Sequence, residues 1–372
     1  MPAISFLECS RCHQQVSAAT AQTVCPACSG PLLVRYDLKT ARRPDADAPS
    51  SIWRYAGVLP DVEPVTLGEG WTALLLSRRY PTLFVKEEAH NPAGSFKARG
   101  MSVAVSMARH YGLKKLAVAS AGTAASALAA YAAADGIEAH IFMPRNAAAA
   151  NYLEANAHGA HVDVIEGSLA DCRRMLAQRQ ATDGWFDLSS LNEPFRLEGD
   201  KTIGYELVEQ LGWTYPDALL LPAATGTALL GIWKAFDEME QLGWVSGKRP
   251  KIIGIQTSSG APLPEGLNAL QEIVGASGGT LLDLPREAVH TSLLDWARHE
   301  GLLLSPDGAA AAAGYAQLLD TGSLRPTDRV VLLNPASGLK YIDTLADALH
   351  LKRPAAKQYP QRTPVGGIIT PQ

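Results

Sequence analysis

The sequence predicts an α/β protein made of parallel strand–turn–helix units, divided into two domains with a small appendage. Three observations lead there. Short apolar strand candidates alternate with helix-length segments from Leu83 to Leu333. The chain has 372 residues, too many for one simple core. Four of its five cysteines lie within the first 28 residues, as Cys9-x-x-Cys12 and Cys25-x-x-Cys28, which sets a separate module ahead of the α/β units.

From the N-terminus, each Cys-x-x-Cys forms a tight knuckle whose two thiolates point at one ion, and two knuckles complete a tetrahedral S4 site. Pro26 and the turn Ser29-Gly30-Pro31 shape the second knuckle, and twelve residues separate Cys12 from Cys25, close to ribbon spacing. In a reducing cytosol this pattern reads as metal ligation by Cys9, Cys12, Cys25 and Cys28, not as disulfides. Structural zinc is expected, with iron open to the same ligands. His13 is expected at the surface, and Cys172, in Ala-Asp-Cys-Arg-Arg-Met, as an ordinary half-buried helical cysteine. Leu32–Tyr36 reads as the strand that closes the ribbon, and the polar, Pro-punctuated residues 37–51 as a linker.

Leu83–Glu87 is the next strand candidate, and it leads into Asn91-Pro-Ala-Gly-Ser-Phe-Lys97-Ala-Arg-Gly100. Asn91, Pro92 and Gly94 are turn formers, Ser95 is a natural N-cap, and apolar positions follow at helical spacing. Lys97 then falls in a first helical turn, where the dipole and the free N–H groups favour a neutral amine. A fixed neutral amine is what Schiff-base chemistry with a carbonyl cofactor requires, although a lysine taken alone is usually a solvated surface residue. Beyond it come strand candidates at Leu116–Ser120, Glu138–Met143 and His161–Ile165, with an Ala-rich helix through Asp135 and a helix at Asn151–His158 between them. The pattern resumes at Ala218–Leu221, Lys251–Ile255 and Arg329–Leu333. The last twenty residues carry four prolines and read as a tail.

Apolar residues make up 47% and charged residues 19%, a soluble globular profile, and a net charge of -4 gives no reason to expect nucleic acid or an anionic membrane as partner. No basic, apolar leader opens the chain and no run approaches a membrane span, so a cytoplasmic protein is expected.

Together these segments resemble the threonine synthase type of fold type II pyridoxal phosphate-dependent enzymes, to which tryptophan synthase β and serine/threonine dehydratases also belong. The resemblance runs from the knuckles to about residue 345. Its anchors are Asn91–Lys97, Ser120-Ala-Gly-Thr123, Arg196-Leu-Glu-Gly-Asp-Lys-Thr202, Gly226–Phe236, Ser305-Pro-Asp-Gly-Ala-Ala310 and Asn334-Pro-Ala-Ser-Gly-Leu-Lys-Tyr341. It implies a zinc ribbon over 1–37, a large cofactor-binding domain over 38–90 and 191–350, a small α/β domain over 91–190 and a tail over 351–372. The cofactor is expected in the cleft between two open parallel sheets, and the chain as a homodimer.

By the same resemblance, Lys97 would hold pyridoxal phosphate as an internal aldimine and later shuttle protons at the substrate's α and β carbons. Phe96 would flank it. Ser120, Ala121, Gly122 and Thr123, at a helix N-terminus, would clasp the substrate carboxylate, with Ser95 beside them. Ala224, Thr225, Gly226, Thr227 and Ala228 would hold the cofactor phosphate. Ser337 would face the pyridine nitrogen and, as a hydroxyl, leave it unprotonated. Arg196 and Lys201 are candidates for the leaving group's phosphate, Lys201 being as well read as surface charge.

The sequence departs from the family at three places. Thr123 stands where an asparagine usually follows the loop glycine, unless that asparagine is deleted. The phosphate turn keeps one glycine, Gly226, of the usual run. Asn334-Pro-Ala-Ser replaces the more usual Asn-Thr-Gly-Ser. The implied activity is a lyase or synthase converting O-phosphohomoserine to threonine with release of phosphate. The alternatives are β-elimination or β-replacement on serine, phosphoserine or threonine and, in another class, a non-catalytic binding protein.

Overall fold

The computed structural model describes residues 4–223, 226–257 and 267–351. β1 (Ile4–Cys9), β2 (Gln15–Val16) and β3 (Leu32–Tyr36) make a small antiparallel sheet in the order β2-β1-β3. Leu7 pairs with Val34 and Cys9 with Leu32, and all four are buried. Residues 37–51 carry no strand or helix, as their composition predicts. The chain then enters a 3-10 turn at Ile52–Val58.

β4 (Leu74–Leu76) and β5 (Leu83–Glu87) pair antiparallel, and β4 is too short for its sequence to announce. α1 (Lys97–His110) buries its residues from Ala98 through Ala108. β6 (Lys115–Ala119) is followed by α2 (Thr123–Asp135), an alanine-rich helix buried nearly all round. α2 stops at Gly136, whose φ of +70° closes a cap that alanine would strain. Then come β7 (Glu138–Pro144), α3 (Ala149–Ala157), β8 (His161–Ile165), α4 (Leu169–Asp183) and β9 (Phe186–Asp187). α4 starts at a capping box between Ser168 and Asp171 and buries Cys172 completely, further than the half-burial expected. α5 (Phe195–Asp200), α6 (Thr202–Gln210), β10 (Ala218–Pro222), α7 (Gly226–Gln241) and β11 (Lys251–Thr257) continue the alternation. α8 (Leu267–Ala276), β12 (Thr280–Leu284), α9 (Arg286–His299), α10 (Pro306–Asp320), β13 (Val330–Asn334) and α11 (Ile342–Ala348) complete it.

Two sheets carry the α/β units. One has six strands in the order β12-β11-β10-β13-β5-β4, parallel except for β4. The other has four parallel strands in the order β8-β7-β6-β9. β10 is apolar along its whole length and β13 up to its last residue, Asn334, and both are buried at every residue, as central parallel strands require. No helix among the described residues is long and apolar enough to cross a membrane.

α1 and α5 cross at van der Waals contact because glycines meet there. A Cβ on Gly199 would lie 2.0 Å from the Arg99 carbonyl oxygen, and one on Gly100 would lie 2.9 Å from the Arg196 oxygen. This contact sets Arg196 against the helix that begins with Lys97.

Two buried ionic clusters brace the same region. Arg99 donates to Glu88 at 2.7 Å and to Glu206 at 2.8 Å, and Lys86 pairs with Glu206, all four fully buried. Burial works against the Glu206 carboxylate, but Arg99 and Lys86 outweigh it and hold it well below the ordinary carboxylate range. In the second cluster Lys201 lies 2.7 Å from Glu198 and 2.9 Å from Glu238, and Lys234 lies 2.6 Å from Glu238. The Tyr36 ring sits 4.6 Å from the Lys201 ammonium, so the last strand of the ribbon is fastened to α5 and α7.

Candidate active site

A cavity of about 400 Å³ opens beyond the carboxyl ends of β6, β10 and β13, where ligands of open parallel sheets bind. Lys97 enters it from the start of α1. The turn before it is tight: Ala93 has φ +56°, Gly94 donates to Asn91 at 2.9 Å, and the Phe96 N–H donates to the Pro335 carbonyl at 3.0 Å. Ser95 is not the helix cap that its position in the sequence predicts. Its backbone is extended and bridges Ala336, and its buried Oγ has no hydrogen-bond partner among the described residues.

The Lys97 Nζ lies 3.0 Å from Oγ1 of Thr227 and 4.1 Å from the centre of the Phe96 ring. Burial pulls its pKa from 10.5 down to about 8, and Arg196 adds to the effect while Asp200 opposes it. Desolvation is thus the main cause of a lowered pKa that the sequence led one to expect from the helix start.

The loop Ser120–Thr123 lies across the cavity at the N-terminus of α2, and all four residues line it. The Gly122 N–H is held by the Ser120 Oγ at 3.2 Å. Gly226 and Thr227 open α7 and line the cavity from the other sheet, while Ala228 is buried behind them. Ala224 and Thr225 lie outside the described residues.

Arg196 lies in the wall, donating to the Leu188 carbonyl at 2.6 Å, and its buried Nη2 has no hydrogen-bond partner among the described residues. Lys201 is neither a surface charge nor a phosphate contact. It is fully buried in the cluster with Glu198 and Glu238, because the helix after Arg196 turns it towards α7. Ser337 does not line the cavity; its Oγ accepts from the Leu339 N–H at 3.3 Å and caps a 3-10 turn.

The structure adds residues that the sequence did not single out. Arg173 of α4, Leu191, Asp307, Pro335 and Tyr341 line the cavity, and Asp200 lies sealed beneath it. Leu191 has φ +63°, a strained backbone for a leucine and one that clusters at functional sites. Burial raises the pKa of Asp200, while Lys97, Arg196 and the Thr227 hydroxyl draw it down. Asp307, Pro335 and Tyr341 belong to anchors already quoted, and for Pro335 its position directly after β13 was the signal that could have found it.

This donor set suits the pyridoxal phosphate that the resemblance implies. An amine of lowered pKa meets the start of a sixteen-residue helix in a cleft of ligand size. The buried polar groups with no hydrogen-bond partner among the described residues include Arg196 Nη2 and Ser95 Oγ.

The four thiols of the N-terminal module also converge. Cys9 and Cys28 Sγ are 3.4 Å apart, Cys12 and Cys25 3.6 Å, and Cys12 and Cys28 3.5 Å. A tetrahedron with metal–sulfur bonds near 2.3 Å has edges of about 3.8 Å, so the cluster is shaped for one ion. His13 is exposed and stays outside it.

Comparison with known proteins agrees with this geometry. Residues 65–336 match the family model described as pyridoxal-phosphate dependent enzyme. The threonine synthase of Methanosarcina acetivorans is 32% identical over 92% of this chain and 93% of its own length. That of Methanocaldococcus jannaschii is 32% identical over 78% of this chain and 80% of its own length. Among solved structures, O-ureido-L-serine synthase superposes with a TM-score of 0.63 at 18% identity, over 78% of this chain and 94% of that one, a likeness of fold.

Proposed function

This chain belongs to the pyridoxal-phosphate dependent enzyme family, and on that premise we propose that it converts O-phosphohomoserine and water to threonine and phosphate. The observation that carries the reading is the Lys97 amine, poised at about pH 8 and 3.0 Å from the first turn of α7, in a chain alike to threonine synthases over nine-tenths of its length. When bound, the cofactor draws off the electrons released at the substrate's α carbon.

The residues divide the work. Lys97 holds the cofactor and, once freed by the substrate, takes and returns protons at the α and β carbons. Backbone N–H groups of Ser120–Thr123 at the start of α2 hold the substrate carboxylate, and those of Gly226 and Thr227 at the start of α7 hold the cofactor phosphate. Arg196 and Arg173 bring positive charge to the cavity for the phosphate that leaves with the γ oxygen. Asp200 balances Lys97 and Arg196 from below. Water then supplies the β hydroxyl, and a proton goes to the γ carbon.

We assign zinc to the four thiolates and draw the domains as 1–37, 38–90 with 191–350, and 91–190. We also propose a homodimer working in the cytoplasm, where the thiols stay reduced. Leu153, Leu339 and Ile342 offer apolar surface to a second copy, each more than half exposed on elements joined by the Lys340–Glu154 ion pair. Sedimentation at micromolar protein tests the dimer.

The activity is tested by phosphate release and threonine formation from O-phosphohomoserine, with serine, O-phosphoserine and threonine in parallel. Equimolar threonine and phosphate are expected, and Lys97→Ala abolishes both. Turnover of O-phosphoserine or serine in preference to O-phosphohomoserine would replace this reading with β-elimination or β-replacement.

A further inference from the structure

The wall that closes the cavity is made by Asp307, Pro335, Ala336 and Tyr341. Its main chain is already engaged. The Pro335 carbonyl accepts from the Phe96 N–H, Ala336 bridges Ser95, and the Ser337 N–H donates to the Gly94 carbonyl at 2.9 Å. Asp307 differs. It is the second residue of α10, and among the described residues no hydrogen bond or ion pair engages its carboxylate. The Tyr341 phenol lies close enough to feel its charge. Burial pushes the Asp307 carboxyl up, and among the described residues no cation pairs with it.

We propose that Asp307 accepts a hydrogen bond from the protonated ring nitrogen of bound pyridoxal phosphate, the position first expected for the Ser337 hydroxyl. The inference rests on the reading of Lys97 as the cofactor lysine. In pyridoxal phosphate the carbonyl carbon is attached para to the ring nitrogen, so the two stand at opposite ends of the ring. With the carbon at Lys97 and the phosphate at the start of α7, the nitrogen would point away from Lys97 into the rest of the cavity, whose lining includes the Asp307 carboxylate. A carboxylate there favours the charged pyridinium, as an opposite charge at short range favours any cation. A protonated ring is the stronger electron sink, so Asp307 makes proton removal at the α carbon easier than a hydroxyl partner would.

The test uses the full chain reconstituted with cofactor labelled with nitrogen-15 in the ring. The visible band, and the borohydride-fixed label on Lys97, report attachment. Their absence overturns the cofactor reading and this proposal together. With the band present, the ring-nitrogen resonance is expected in the pyridinium range at neutral pH. Asp307→Asn moves it to the neutral pyridine range, Asp307→Glu keeps it, and Tyr341→Phe leaves it unchanged. A neutral pyridine resonance in the unaltered protein overturns the proposal while the cofactor reading stands. So does a pyridinium resonance that Asp307→Asn fails to move, or one that Tyr341→Phe moves instead.

Discussion

The Nζ of Lys97 lies 3.0 Å from Oγ1 of Thr227, joining the first turn of α1 to the first turn of α7 across 130 residues of chain. The cleft is assembled where these two helix starts meet. Thr227→Val keeps the shape and removes the hydroxyl. A net hydrogen bond is worth about 1 kcal/mol, so the cofactor-free protein should lose about that much stability, read from urea midpoints.

The Lys97 amine should capture pyridoxal phosphate with a pH midpoint of about 8, well below the 10.5 of an ordinary lysine. Because the folded value lies below the unfolded one, the unfolded chain binds the extra proton between the two. This group therefore raises the stability of the cofactor-free protein as pH climbs from 8 to 10.5. Stopped-flow capture rates against pH check the midpoint, and a value near 10.5 would show that burial does not control the amine.

Glu206→Gln should be strongly destabilising. It leaves Lys86 and Arg99, both fully buried, with Glu88 as their remaining carboxylate. Breaking a buried pair from one side costs about 3–5 kcal/mol, read from urea midpoints. The folded pKa of Glu206 is depressed, so its contribution is full above the unfolded value of 4.5 and fades as pH falls towards the folded one. The gap between the parent and Glu206→Gln should narrow in acid.

Chelation or Cys12→Ser should remove one metal ion per chain, measured by elemental analysis. Leu7, Cys9, Cys25, Leu32 and Val34 share one continuous core with α1 and α2. Loss of the ion should therefore lower the Tm of the whole chain and not only unravel the first 36 residues. An unchanged melting curve would show that the module folds on its own packing.

Much was legible in sequence because its causes are local. Cys-x-x-Cys spacing, the turn at Asn91–Gly94 and the alternation of strand and helix candidates depend on neighbours within about ten residues. β3, β5 and β8 occupy the spans their residues predict, and Lys97 does begin a helix. Short elements were less legible: β4 and β9 have three and two residues, too few for a period.

The sequence by itself determined the parallel α/β class, the four-thiol module and the lysine at a helix start, since each is a matter of residue type and spacing. Only the tertiary structure decided the chemistry around that lysine. Whether Lys201 is exposed or sealed, and how Ser337 and Asp307 are placed at the cavity, depend on packing between separate segments, such as Tyr36 against Lys201 and Gly94 against Ser337. Desolvation and long-range charge are properties of an enclosed space, and the chain has none until its sheets are set side by side.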